Sequence, residues 1–273
     1  MMVLLIILIV LVILYIAFSL LALLKNDKSD INDKNPYLHP ETAKEVLPED
    51  MVPFVNDMPV AAKGQKTFYE KFVKRPCDSV LSFLGLLILS PLFAVLCLAI
   101  VIDDPGPIFF TQNRVGADKK FFRLHKFRSM KMSTPHDMPT HMLENPEQYI
   151  TRVGGFLRKF SLDELPQIWD IFRGKMSIIG PRPALWNQAD LVAEREKFGI
   201  NALTPGLTGF AQINGRDELE IPEKVEYDRQ YKENFGFRLD VKCFFGTIIS
   251  VVKSDGVVEG GTGEMARSEK VNK

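Results

Sequence analysis

Two adjacent carboxylates, Asp163 and Glu164, stand between a basic segment and a run of large apolar side chains in KFSLDELPQIWDIF, residues 159–172. Ser161, three residues ahead of Glu164, has the spacing of a capping box, in which a hydroxyl and a carboxylate satisfy free N–H groups at a helix start. Pro166 suits a first helical turn, so the pattern predicts a helix that begins near Asp163. At such a helix end the backbone dipoles favour a charged carboxylate by about 0.3 to 1 kcal/mol. An ionised, oriented carboxylate is also what a nucleophilic aspartate requires. Helix punctuation and chemistry are therefore compatible readings of the same pair.

Arginines stand in turns on the C-terminal side of the pair. In GPRP, residues 180–183, prolines flank Arg182, which stiffens its backbone and reduces the entropy lost when a guanidinium fork grips a phosphate. TPGLTGFAQINGR, residues 204–216, carries turn chemistry at Pro205-Gly206 and Asn214-Gly215 and ends in Arg216. Each piece would also serve an ordinary loop. Seven cations from Arg114 to Lys131 (Arg114, Lys119, Lys120, Arg123, Lys126, Arg128 and Lys131) are interrupted only by Asp118. They fit an anionic neighbour or a solvated basic face. Overall charge identifies no partner, because Lys+Arg and Asp+Glu both total 34.

His136 and His141 lie in a polar, proline-containing stretch, residues 133–148, read as a loop with exposed histidines and no metal-ligand pattern. Cys77, Cys97 and Cys243 have neither metal spacing nor pairing, so they are read as reduced and structural. The sequence contains no G-x-x-x-x-G-K-[ST], H-E-x-x-H or G-x-S-x-G, which removes the common nucleoside-triphosphatase, zinc-protease and serine-hydrolase readings.

The elements that must position these residues begin at a membrane. Residues 3–24 are uncharged and would span about 30 Å as a helix, a transmembrane signal, with Lys25 and Lys28 placing its C-terminal side in the cytoplasm. Residues 25–66 are polar and punctuated by five prolines, and read as a linker. A second apolar stretch, residues 79–102, is interrupted by Ser90-Pro91 at its middle. Proline breaks or kinks a helix, and both flanks are basic, with Lys71, Lys74 and Arg75 on one side and the cationic run on the other. A helix that enters the membrane, breaks and returns satisfies both flanks; a buried core helix pair is the other reading.

Beyond it, residues 108–112 and 121–130 read as short strands, and the apolar positions Leu165, Ile168, Trp169 and Phe172 as the core face of the helix after the dyad, stopped by Gly174. A short strand, MSII, follows. Residues 238–253 form an apolar helix that suits either an interface or a core.

In order along the chain, KRPCD before the broken apolar segment, PIFFTQNRVG, FRLHKFRSM, LRKFSLDELPQIWDIFRGKMSIIGPRP and TPGLTGFAQINGR resemble the bacterial sugar transferase family, the monotopic phosphoglycosyl transferases. The resemblance covers about residues 68–258 and leaves residues 1–66 outside it. It implies an α+β membrane-associated fold with a catalytic domain (67–258), which the N-terminal transmembrane helix (1–24) and linker (25–66) read from the residues themselves precede and a flexible tail (259–273) follows. Ser90 and Pro91 would mark membrane re-entry. It also implies transfer of a phosphosugar from a UDP-sugar to a polyprenol phosphate such as undecaprenyl phosphate, with Mg2+, at the cytoplasmic face of the bacterial inner membrane. Asp163 would be the nucleophile and Glu164 its partner, both near the metal, with Arg158, Arg182 and Arg216 on phosphate groups. Membrane lipids are implied partners, nucleic acid is not, and a homo-oligomer is left open. A membrane-anchored scaffold with a degenerate site and a lipid-linked phosphohydrolase are the competing functions.

Overall fold

The computed structural model describes residues 31–58, 66–134, 146–215 and 219–253. The apolar segment 3–24, His136, His141, Arg216 and the tail 259–273 lie outside the described residues.

Within the expected linker, residues 31–58 are folded. A 3-10 turn, Pro40–Thr42, runs into α1 (Ala43–Val46), and α2 (Val52–Asn56) follows. Pro40 and Pro53 sit in the first turns of these pieces, where a missing N–H costs nothing. The residues between them, Tyr37, Ala43, Leu47, Val52 and Val55, are buried. A polar composition had hidden an amphipathic strap that packs on the rest of the chain.

A π-type turn, Glu70–Lys74, leads into α3 (Arg75–Ile88), which is followed by α4 (Ser90–Asp103). The bend between these two arms is 61° and falls where the sequence predicts it. Pro91 has no N–H for the carbonyl of Leu87, and the Ser90 hydroxyl donates to that carbonyl instead, at 2.8 Å. Among the described residues no single helix is long and apolar enough to cross a membrane, whereas the bent pair together passes by length and composition.

The basic flank of α3 is tied inward. Lys74 Nζ donates to Asp240 at 2.6 Å, Arg75 donates to the carbonyls of Ile171 and Met176, and Asp78 accepts from the Ser177 hydroxyl and the Ile178 N–H. These contacts root the hairpin in the remainder of the fold.

β1 (Phe109–Val115) and β2 (Phe121–Phe127) form an antiparallel ribbon in register Phe109↔Phe127 to Val115↔Phe121. α5 (Arg152–Lys159) is capped by the Thr151 hydroxyl, which accepts from the Gly154 N–H at 2.8 Å. Next come α6 (Gln167–Phe172), β3 (Ser177–Ile179), α7 (Ala189–Lys197) and β4 (Gly206–Thr208), which pairs in parallel with β3. The two backbones meet so closely that a Cβ on Gly206 would lie 2.1 Å from the Gly180 nitrogen. α8 (Phe210–Ile213), α9 (Ile221–Glu233) and α10 (Phe237–Lys253) complete the fold.

Two expectations around the dyad are corrected. The α-helix begins at Gln167, preceded by a 3-10 turn over Leu162–Glu164, and Ser161 makes no side-chain cap because it sits in the left-handed region at φ 54°. Nor is the apolar face of α6 the core face. Gln167, Asp170 and Ile171 are buried, whereas Phe172 is 39% exposed. That face lies on α3, where Ile168 meets Gly85 and Phe172 lies beside Phe83. The polar side is turned inward by His125, whose backbone and ring N–H groups both meet the Asp170 carboxylate, at 3.0 and 2.6 Å.

Large apolar side chains remain exposed on the hairpin, on α5 and its C-cap (Phe156, Phe160) and on α10 (Phe237, Phe244, Phe245, Ile248, Ile249).

Candidate active site

The tight turn between α5 and α6 sets Asp163 and Glu164 side by side beneath strand β2. Each meets a different environment. Glu164 is gripped on both oxygens by Arg182, through Nη2 to Oε1 at 2.6 Å and Nη1 to Oε2 at 3.2 Å, and Lys126 Nζ donates to the same Oε1 at 2.9 Å. Burial alone would push its carboxyl up, but Arg182 and Lys126 hold it well below the usual carboxylate range. For Asp163 the balance is reversed. Burial pushes its carboxyl up, the charge of Glu164 adds to this, and Lys126 at 3.8 Å, Arg158 and Arg182 pull only partly against it. Two neighbouring carboxylates driven apart in acidity are the arrangement that assigns different chemical roles to one residue type.

Each cation comes from a separate element. Arg158 lies in the last turn of α5, Lys126 near the end of β2, and Arg182 in the turn after β3. The Arg182 turn is held from behind: its carbonyl accepts from Arg195 Nη1 at 2.9 Å, and Arg195 is itself fixed by Asp228 on α9. The prolines that were expected to stiffen a free phosphate-gripping arginine thus present a fork already bound to Glu164. Arg216, the third arginine of the sequence reading, lies outside the described residues.

Sequence reasoning placed Lys126 in a basic run but not in the site. The run divides by contact: Arg114 donates to the Pro183 carbonyl, Lys119 pairs with Glu196, Arg128 with Asp104, and Lys126 alone of these reaches the dyad. The buried His125–Asp170 pair was also missed. It fastens β2 to α6 and so sets the distance between Lys126 and the dyad. Only the sign of the local charge could have flagged Lys126, and that sign is shared by its six neighbours. The site can bind anions through three cations while keeping one carboxylate locked as an ion and another available as a base or nucleophile.

Comparison with known proteins bears on this geometry. The family model described as "Bacterial sugar transferase" matches residues 69–254. The chain is 39% identical over 191 residues to the UDP-glucose:undecaprenyl-phosphate glucose-1-phosphate transferase of Escherichia coli K12, a match covering 65% of this chain and 40% of that protein. It is 35% identical over 197 residues to the exopolysaccharide production protein ExoY of Sinorhizobium fredii, covering 67% and 87%. A UDP-N-acetylgalactosamine-undecaprenyl-phosphate N-acetylgalactosaminephosphotransferase from Aeromonas hydrophila is 35% identical over 191 residues, covering 68% and 45%. The matched part thus spans less than half of two of these relatives and most of the third.

Proposed function

Because the chain belongs to the bacterial sugar transferase family, we propose that it transfers a phosphosugar from a UDP-sugar to undecaprenyl phosphate, releasing UMP and a polyprenyl diphosphate sugar, the initiating step of envelope glycan synthesis. The observation that carries this reading is the divided dyad: Glu164 is neutralised by Arg182 and Lys126, while Asp163, its acidity weakened by burial, is the more basic carboxylate beside the same cations. A carboxylate with raised pKa is the stronger nucleophile once ionised.

An Asp163 oxygen forms a bond to the sugar-bearing phosphorus as the bond from that phosphorus to the bridging oxygen breaks, and UMP leaves with the electron pair. An oxygen of the lipid phosphate then attacks the same phosphorus. The aspartyl P–O bond breaks and the carboxylate returns. Lys126, Arg158 and Arg182 offset the charge of anions brought together at phosphorus. Glu164 keeps two of them pointed at that place.

The donor set suits Mg2+, which takes one or two carboxylates and completes its shell with water and substrate phosphates. Among the described residues no group of three or more His, Cys, Asp or Glu could cage a metal unaided. Asp163 and Glu164 would therefore hold it jointly with the diphosphate, and when bound it would add further charge compensation. The bent hairpin and the exposed aromatic side chains of α5 and α10 support a re-entrant seat in the cytoplasmic membrane, in contact with its lipids and with the site at headgroup level on the cytoplasmic side.

The test is UMP release across a panel of UDP-sugars, with and without undecaprenyl phosphate, together with intact-protein mass spectrometry after incubation with donor and Mg2+ alone. A phosphosugar adduct on Asp163, lost in Asp163→Asn and discharged by lipid phosphate, is the expected result. Full turnover by Asp163→Asn would overturn the nucleophile assignment, and UMP release at the same rate without lipid would favour hydrolysis.

A further inference from the structure

The strap, residues 31–58, lies outside the matched family residues, yet it joins the largest buried cluster among the described residues, where its Leu47, Val52 and Val55 share a core with Leu191, Val192 and Ile200. Its polar contacts are directed at the part of the fold behind the site. The Asn32 side-chain oxygen Oδ1 accepts the Phe121 N–H at 2.7 Å and the Asn35 side-chain amide donates to the Lys119 backbone carbonyl at 2.8 Å, fastening the strap to the β1–β2 turn. Tyr37, 5% exposed, packs edge-on against Phe121 and donates its hydroxyl to the Trp186 carbonyl at 2.8 Å.

Trp186 lies four residues beyond Arg182 in the connection from β3 to α7, with Leu185 between them bridged to Arg114 of β1. Two routes therefore lead from the strap to Arg182: through Tyr37 to the far end of the β3–α7 connection that carries it, and through the core shared with α7, whose Arg195 holds the Arg182 carbonyl. We propose that residues 31–58 are a brace for the Arg182 turn, with Tyr37 as a positioning residue, so that the working unit of this chain starts near residue 31. The effect on turnover rests on the function proposed above; the brace itself does not.

The test uses the full-length protein in detergent with Tyr37→Phe, which removes one hydroxyl, and Val55→Asp, which undoes the docking. Amide exchange in the peptide spanning residues 180–188 should quicken about fivefold in Tyr37→Phe, the worth of one buried hydrogen bond, and more in Val55→Asp, with β1 and β2 near residue 110 unchanged. UMP release by Tyr37→Phe should fall about threefold to fivefold at saturating donor. The same substitution in an Arg182→Lys background should cause little further loss, since a brace acting through Arg182 has nothing left to hold. Unchanged exchange at 180–188 in Tyr37→Phe, or an equal loss of turnover in both backgrounds, would overturn the brace. A wild-type protein that releases no UMP from any donor would sink the proposed function, while the exchange measurement still decides the brace.

Discussion

Glu164 shares its Oε1 between Lys126 and Arg182, and a cycle of substitutions can read that sharing. Replacing either cation with Met removes charge-assisted hydrogen bonds worth about 1.5 to 3 kcal/mol each. The other cation remains, so each single variant should lose about 1 to 2 kcal/mol, near the lower end because Arg182 and Lys126 are partly exposed. The pair of substitutions leaves a buried carboxylate with neither partner, a defect that costs about 3 to 5 kcal/mol. The double variant should therefore lose at least about 1 kcal/mol more than the sum of the singles. Glu164→Gln added to the double variant should recover at least half of the loss, because a neutral amide needs no countercharge. The assay is chemical unfolding in detergent micelles, or thermal unfolding read as a shift of about 2 to 4 °C per kcal/mol. Additivity within about 0.5 kcal/mol, with no recovery from Glu164→Gln, would refute the claim that these two cations jointly neutralise Glu164.

Asp163→Asn should remove turnover by orders of magnitude yet stabilise the fold at neutral pH: burial raises the folded-state pKa above the ordinary 3.8, so folding takes up a proton and stability falls as pH rises through that window. The gain over wild type, measured by thermal unfolding, should shrink as pH approaches 4, and a gain that grows on acidification would reverse the sign. Gly154→Ala should cost about 3 kcal/mol or more, since its Cβ would meet the Ser129 backbone oxygen at 1.9 Å, whereas Gly155→Ala, with Ile150 3.9 Å away, should be neutral or slightly stabilising by unfolding assay. Thiol labelling of the folded protein at pH 8 should modify Cys77, which is exposed, and spare Cys97 and Cys243, both buried; burial also pushes the Cys243 thiol up to about 12. Fast modification of all three would show that the hairpin and α10 are not packed as described.

Features governed by near neighbours were readable from the chain. Ser90-Pro91 breaks its helix because one residue lacks an N–H and the other supplies a hydroxyl to the carbonyl left over. The strands read at 108–112 and 121–130 do form and pair, the first running on to Val115 and the second ending at Phe127, and Gly174, at φ 84°, ends α6 where an L side chain would be strained. The dyad stood out as two carboxylates at a helix entry, with Arg182 nearby in sequence, and their contact is 18 positions apart.

Distant groups decided the rest. The capping box failed because Ser161 sits in the left-handed region and the Glu164 carboxylate is taken by Arg182 and Lys126, partners that local spacing does not reveal. The face of α6 was inverted because its apolar side met the apolar hairpin and its Asp170 met His125, 45 positions away. In residues 25–66, prolines and charges outnumbered the few apolar side chains, and nothing in that stretch discloses that Tyr37 has a carbonyl waiting 149 positions downstream. Lys126 was one cation among seven until the fold brought Glu164 to it. The chemical identity of the site is thus written in the sequence as residue types, whereas which carboxylate is locked, which is left basic, and what holds the arginine in place depend on desolvation and charge contacts that exist only once remote segments are packed together.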